Sequence, residues 1–76
     1  MITKTMKLSD IKISDAFART HVSERKLQKC RNYFDVFGKA DRDIVLSSNN
    51  ILIDGYIMYL VYKENNIEEV EVKVKS

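Results

Sequence analysis

The stretch from Ile44 to Asn66 constrains this chain most. It runs Ile44-Val45-Leu46, a polar turn Ser47-Ser48-Asn49-Asn50, then Ile51-Leu52-Ile53, the pair Asp54-Gly55, and a helical pattern that stops at Asn65-Asn66. Two short β-rich segments joined by turn-forming residues read as two strands. The spacing predicts a helix behind them, capped by Asp54 and with Gly55 as its first residue. Ile53 and Met58 are spaced as a hydrophobic staple, and Ile57, Leu60 and Val61 form the expected inner face. A glycine at a strand-to-helix junction lets backbone N–H groups approach an anion such as a phosphate.

The rest of the chain completes one pattern. Met6, Leu8, Ile11 and Ile13 are apolar positions separated by polar ones, and Ser9-Asp10 interrupts them, which predicts a strand with a bend or bulge. Ser14 to His21 shows no period and reads as a loop with a short turn. Ser23 is placed to N-cap the first long helix, with Val22 and Leu27 as its staple. Leu27, Cys30, Phe34 and Phe37 recur at helical spacing as its buried stripe, with Tyr33 on the shoulder, and Gly38 ends it. From Glu69 to Lys75 the alternation is clean: Val70, Val72 and Val74 face one way, and charged residues face the other. That predicts a half-buried strand at a sheet edge or on an open face, and an edge strand there offers a route to a homodimer. The order is β-α-β-β-α-β, an α+β class with a small mixed sheet, expected as a single domain over residues 1–76.

Length and charge bound what such a domain does. A chain of 76 residues buries about 60–65% of its unfolded surface, so its stability margin is thin. Cys30 is the only cysteine, so no internal disulfide helps. The N-terminus lacks the apolar core of a signal peptide, and no apolar run approaches the ~18 residues of a membrane span, which leads to the expectation of a soluble, cytoplasmic protein with no membrane partner. The net charge is only +2. Its distribution says more: Arg19, Arg25, Lys26, Lys29, Arg31, Lys39 and Arg42 fall in one stretch against Glu24, Asp35 and Asp41, while Glu64, Glu68, Glu69 and Glu71 gather near the C-terminus. One histidine, His21, with no cysteine beside it makes no zinc site. No Walker-type glycine loop and no supported Ser/His/Asp set is present.

Taken in order, these parts resemble the N-terminal domain of ParB partition proteins, a fold shared with sulfiredoxins and some small-molecule kinases. The resemblance runs from Leu8 to Val74. It rests on Leu8-Ser9-Asp10-Ile11, the loop arginine in Phe17-Ala18-Arg19, the helix ending at Gly38, Asp43-Ile44-Val45-Leu46, Ile51-Leu52-Ile53-Asp54-Gly55, and Glu69-Val70-Glu71-Val72. Partition proteins follow the glycine with Gly-Glu-Arg-Arg or Gly-Glu-His-Arg, and this chain has Asp54-Gly55-Tyr56-Ile57-Met58. Met58 therefore stands where the family's phosphate-clamping arginine is expected, which removes a charge-assisted contact of about 1.5–3 kcal/mol. Tyr56 stands where sulfiredoxins carry their cysteine nucleophile. Cys30, on an apolar helix stripe, reads as a small buried hydrophobe. Partition proteins continue into helix-turn-helix and dimerisation segments, and the expectation here is a domain without that operator-reading route.

The resemblance implies a non-catalytic ParB-like binding or regulatory module tied to nucleic-acid transactions, of the partition or mobile-element type, with nucleic acid or a protein as partner. The nucleic-acid candidates are Arg25, Lys26, Lys29 and Arg31. An alternative is a nucleotide (CTP or ATP) site with Mg2+, using Arg19, Asp54, Gly55 and Tyr56, with Lys39 or Arg42 replacing the lost arginine. A second alternative is a small phosphotransferase, although no complete catalytic set is assembled. No other cofactor and no metal site is expected. Tyr56, Tyr59 and Tyr62, together with Tyr33, read as core-edging rings or as surfaces for bases or a protein partner.

Overall fold

The alternation from Glu69 to Val74 builds the middle of a four-stranded sheet. The computed structural model describes residues 1–39 and 42–75. Its strands are β1 (Ile2–Lys7), β2 (Ile44–Leu46), β3 (Leu52–Asp54) and β4 (Glu69–Val74), and its helices are α1 (Asp15–Ala18), α2 (Glu24–Phe37) and α3 (Tyr56–Glu64). The sheet order is β1-β4-β2-β3. β4 pairs antiparallel with β1 and parallel with β2, and β2 pairs antiparallel with β3. This is the α+β class with a small mixed sheet and two main helices. β4 is paired on both sides, so it is not an edge. Its charged residues lie on an open sheet face, where Lys73 Nζ meets Asp43 Oδ2 at 2.9 Å. Edge-to-edge pairing between copies, the homodimer route read from the sequence, is therefore not available to β4.

The core lies between one face of the sheet and the helices. Val70, Val72 and Val74 of β4, Ile44 and Leu46 of β2 and Leu52 of β3 meet Leu27 and Cys30 of α2 and Met58 and Val61 of α3. Leu8 and Ile11 close one end. The first strand differs from expectation: it is Ile2–Lys7, and Leu8–Asp10 forms a 3-10 turn that drops Leu8 and Ile11 into the core. Ile11 and Ile13 belong to a separate extended segment. There Lys12 donates its N–H to the Asn50 carbonyl, and its own carbonyl accepts from Leu52 N–H, at 2.8 and 2.9 Å. The short turn expected in the following loop is α1, whose first turn is capped by the Ser14 hydroxyl accepting from Phe17 N–H.

α2 forms where the apolar period placed it, but two details change. Ser23 occupies the N-cap position without a side-chain cap bond. Phe37, expected in the buried stripe, is 59% exposed and packs instead on Tyr33, with ring centroids 4.4 Å apart and the planes tilted by 37°. Gly38 ends the helix in the left-handed region (φ 69°), its N–H donating to the Phe34 carbonyl. No helix among the described residues is long and apolar enough to cross a membrane.

Candidate binding site

The strand-to-helix junction is the first place to look for an anion site. β3 ends at Asp54, and α3 starts at Tyr56. Gly55 is the cap residue, with φ 89°. Asp54 is therefore not the helix cap that was expected. Its Oδ1 accepts from Gly55 N–H at 2.8 Å, so the junction's first amide already faces a carboxylate. The glycine is required twice over: its φ is left-handed, and a Cβ there would sit 2.8 Å from the Asp43 carbonyl oxygen and 2.9 Å from Ile44 Cα. The tight fit is a packing contact between the junction and β2.

Val61 of the expected inner face is buried, Ile57 and Leu60 are only half-buried, and Met58 joins Val61 in the core. Met58 is 4% exposed, and its Sδ lies 3.2 Å from Cys30 Sγ. Position 58, where the family resemblance places a phosphate clamp, thus points into the core of this chain. Cys30 is buried, as its place on the α2 stripe implied. Ile53, on the other sheet face, is largely exposed and makes no staple with Met58.

The first turn of α3 is covered by aromatic rings. Tyr56 packs on Phe17 of α1 with centroids 5.4 Å apart and stacks on Tyr59 at 6.2 Å. Tyr62 makes an edge contact with Phe34 at 5.7 Å. All three tyrosines are half-buried against the core. Arg19 follows α1 and is exposed, with no ion pair to a described residue. The Phe17–Tyr56 contact brings its short helix to the start of α3. Lys39 and Arg42 lie elsewhere, in a shallow cleft of about 200 Å³ shared with Asp43, Ile44, Tyr62 and Glu71. A larger open cleft of about 590 Å³ is lined by Lys7, Tyr59 and Lys63 together with Glu68 and Glu69. Neither cleft is lined by Arg19, Asp54, Gly55 or Tyr56. The nucleotide candidates are therefore split between two places.

The basic residues of α2 also divide. Arg31 is committed within the chain: its Nε and Nη2 donate to Glu64 of α3 at 2.9 and 2.7 Å, and its Nη1 lies 3.6 Å from Glu24. The hydrogen bond to Glu64 raises the Arg31 pKa and holds the Glu64 carboxyl below its usual range. Arg31 thus ties α2 to α3. Arg25, Lys26 and Lys29 are exposed and form no ion pair with described residues. Asp41, counted among the acids of this stretch, lies outside the described residues. His21 is exposed, and no group of three or more His, Cys, Asp or Glu among the described residues is arranged to hold a metal.

Sequence reasoning missed the outer end of α2, where Val36 is 75% exposed beside Phe37. The signal was present. Arg25, Lys29, Tyr33 and Phe37 recur every four residues, a spacing that places them in one slanted row along a helix.

No protein-family model matches the chain, and no curated protein matches it in sequence. Solved structures do match. The C2221 form of a pNOB8-like ParB-N domain superposes with a TM-score of 0.81 at 18% identity, over 96% of this chain and 29% of that one. A second pNOB8-like ParB N-domain structure gives 0.76 at 18% identity, over 96% and 26%. The C-terminally truncated chromosome-partitioning protein ParB from Caulobacter crescentus, complexed with CTP-gamma-S, gives 0.76 at 11% identity, over 100% of this chain and 45% of that one. The chain thus spans less than half the length of the structures it matches. At these identities the likeness concerns architecture, and on it the chain has the fold of the ParB N-terminal domain.

Proposed function

We propose that this protein is a non-catalytic ParB-like binding module that contacts nucleic acid through the outer face of α2. The observation that carries the reading is the set Arg25, Lys26 and Lys29, close together in the first half of α2, exposed, and without an ion pair among the described residues. Cations left in water cost little, and each one that meets a phosphate releases a counterion. Three such contacts make affinity fall roughly 20- to 40-fold between 50 and 200 mM salt. The test is anisotropy of labelled oligonucleotides at stepped salt, comparing the native chain with the triple variant Arg25→Ala, Lys26→Ala, Lys29→Ala. The variant is expected to flatten the salt slope by about 0.7–0.9 per lost contact. An unchanged slope removes α2 from the interface.

A second reading is a nucleotide site at the start of α3. Arg19 favours it, since α1 packs on Tyr56 and leaves that arginine without an ion pair among the described residues. One of the matched structures is a ParB complexed with CTP-gamma-S. Here the Asp54 carboxylate at the junction repels phosphate unless Mg2+ lies between them. Amide chemical-shift titration with CTP, ATP and GTP, with and without Mg2+, tests this. Saturable shifts at Gly55, Tyr56 and Arg19 that require Mg2+ support it, and silence at millimolar nucleotide ends it.

A further inference from the structure

The chemistry of α2 changes along its length. Arg25 and Lys29 occupy its first half, and Tyr33 and Phe37 continue the same four-residue row in its second half. Each step of that row advances about 6 Å along the axis. Lys26 flanks the first half and Val36 the second. The acids of the helix lie elsewhere: Glu24 is turned to Arg31 at 3.6 Å, and the helical period puts Asp35 on the flank away from the row. The row is therefore cationic and then aromatic, with no carboxylate in it.

We propose that this face of α2 takes single-stranded nucleic acid, with phosphates on Arg25, Lys26 and Lys29 and an unpaired base on the Tyr33–Phe37 ring pair. The proposal rests on the nucleic-acid reading above and adds the class of strand. Two observations carry it. Phe37 is 59% exposed although its ring packs at a tilt on Tyr33, so part of its ring surface remains in water. The helix dipole agrees in sign: its positive N-terminal end favours phosphate on the Arg25–Lys29 half, while its negative C-terminal end disfavours phosphate but not a neutral base. Duplex DNA satisfies only half of the row, because its base faces are already stacked. A protein partner is the poorer match, because the exposed apolar part of the row is three side chains, far short of the ~800 Å² per partner that a stable interface buries.

Phe37 is exposed, so it can be replaced without opening the core. Circular dichroism of each variant checks that. The experiment measures anisotropy of a labelled oligo-dT and of a labelled duplex of equal length against the full chain, Phe37→Leu and Phe37→Trp. Leucine keeps the apolar bulk and removes the stacking face. Tryptophan keeps the face, and because the chain has no other tryptophan its emission reports on this position alone. The expected result is tighter binding of oligo-dT than of duplex. Phe37→Leu should lose about tenfold on oligo-dT and little on duplex, and Phe37→Trp should bind with its emission quenched. Equal affinity for both ligands, with Phe37→Leu silent, overturns the single-strand assignment and leaves the nucleic-acid reading standing. No binding of either ligand overturns both. Concentration-dependent self-association abolished by Phe37→Leu, with no oligonucleotide dependence, overturns the assignment in favour of a second copy of the chain.

Discussion

The two long helices use their aromatic residues in opposite ways. α3 turns Tyr56, Tyr59 and Tyr62 against the body of the protein, where Tyr56 meets Phe17 and Tyr62 meets Phe34. α2 buries Leu27 and Cys30 but leaves the Tyr33–Phe37 pair at its outer end. The contrast follows from composition. From Tyr56 to Tyr62 α3 is apolar or aromatic at every position, so each side it presents finds a neighbour. α2 is amphipathic and has a side to spare. The junction that attracts attention in the sequence, Asp54-Gly55, thus lies at the enclosed helix, and the open chemistry lies on the other one.

The largest expected effect tests whether α3 is as closed as its packing implies. Met58→Arg restores the residue type of the family's phosphate clamp on paper. In this structure it drives a guanidinium into the contact with Cys30, at a site 4% exposed. An unpaired buried charge costs about 3–5 kcal/mol, which is most of the margin of so small a domain. Urea denaturation monitored by circular dichroism should find the variant largely unfolded at 25 °C. A folded Met58→Arg with tightened nucleotide binding would show that α3 can rotate and that the comparison with α2 is wrong.

The two glycines sharpen the same contrast. Both have positive φ, but they differ in crowding: a Cβ at Gly55 meets the Asp43 carbonyl oxygen and Ile44 Cα inside 3 Å, while at Gly38 it meets no atom of the described residues within 4 Å. Gly55→Ala should cost roughly 2–3 kcal/mol, combining a left-handed alanine with backbone overlap. Gly38→Ala should cost only the conformational part, about 1 kcal/mol. Equal losses in paired denaturation curves would mean that the β2–α3 junction relaxes freely.

How much of this was legible in the sequence differs by element. β4 was plain, because alternation with a period of two has one meaning on a half-buried strand. Leu27, Cys30 and Phe34 gave the face of α2 for a similar reason. β1 was not legible: Ile2–Lys7 is largely exposed, and its strand character comes from pairing with β4 rather than from its own pattern. The phase of α3 was also hidden. A helix apolar at every position between Tyr56 and Tyr62 has no preferred side, so its rotation is set by what it packs against, here Cys30 of α2 meeting Met58. Met58 was read as a missing ligand contact because the family resemblance places an arginine there, and it is found as core. Phe37 was misplaced because periodicity assigns it to the stripe, whereas the helix runs past the edge of the core before it ends.

The smallest expected effect concerns the tie between the two helices. Arg31 and Glu64 are bonded at 2.7 and 2.9 Å, with side chains 29% and 41% exposed, so solvent screens much of their attraction. The hydrogen bond from Arg31 holds the Glu64 carboxyl below its ordinary value. A depressed carboxylate contributes stability that is present above its unfolded pKa and lost as pH falls through its folded pKa. Glu64→Gln should therefore melt slightly below the native chain at neutral pH, and the gap should close in acid. A gap that persists unchanged in acid would mean that the carboxylate's charge contributes nothing. The same variant bears on α2. It releases Arg31, but Arg31 lies on the flank facing α3, away from the Arg25–Lys29 row. Its release should leave the salt slope of oligonucleotide binding unchanged, and a steeper slope would return Arg31 to the phosphate contacts.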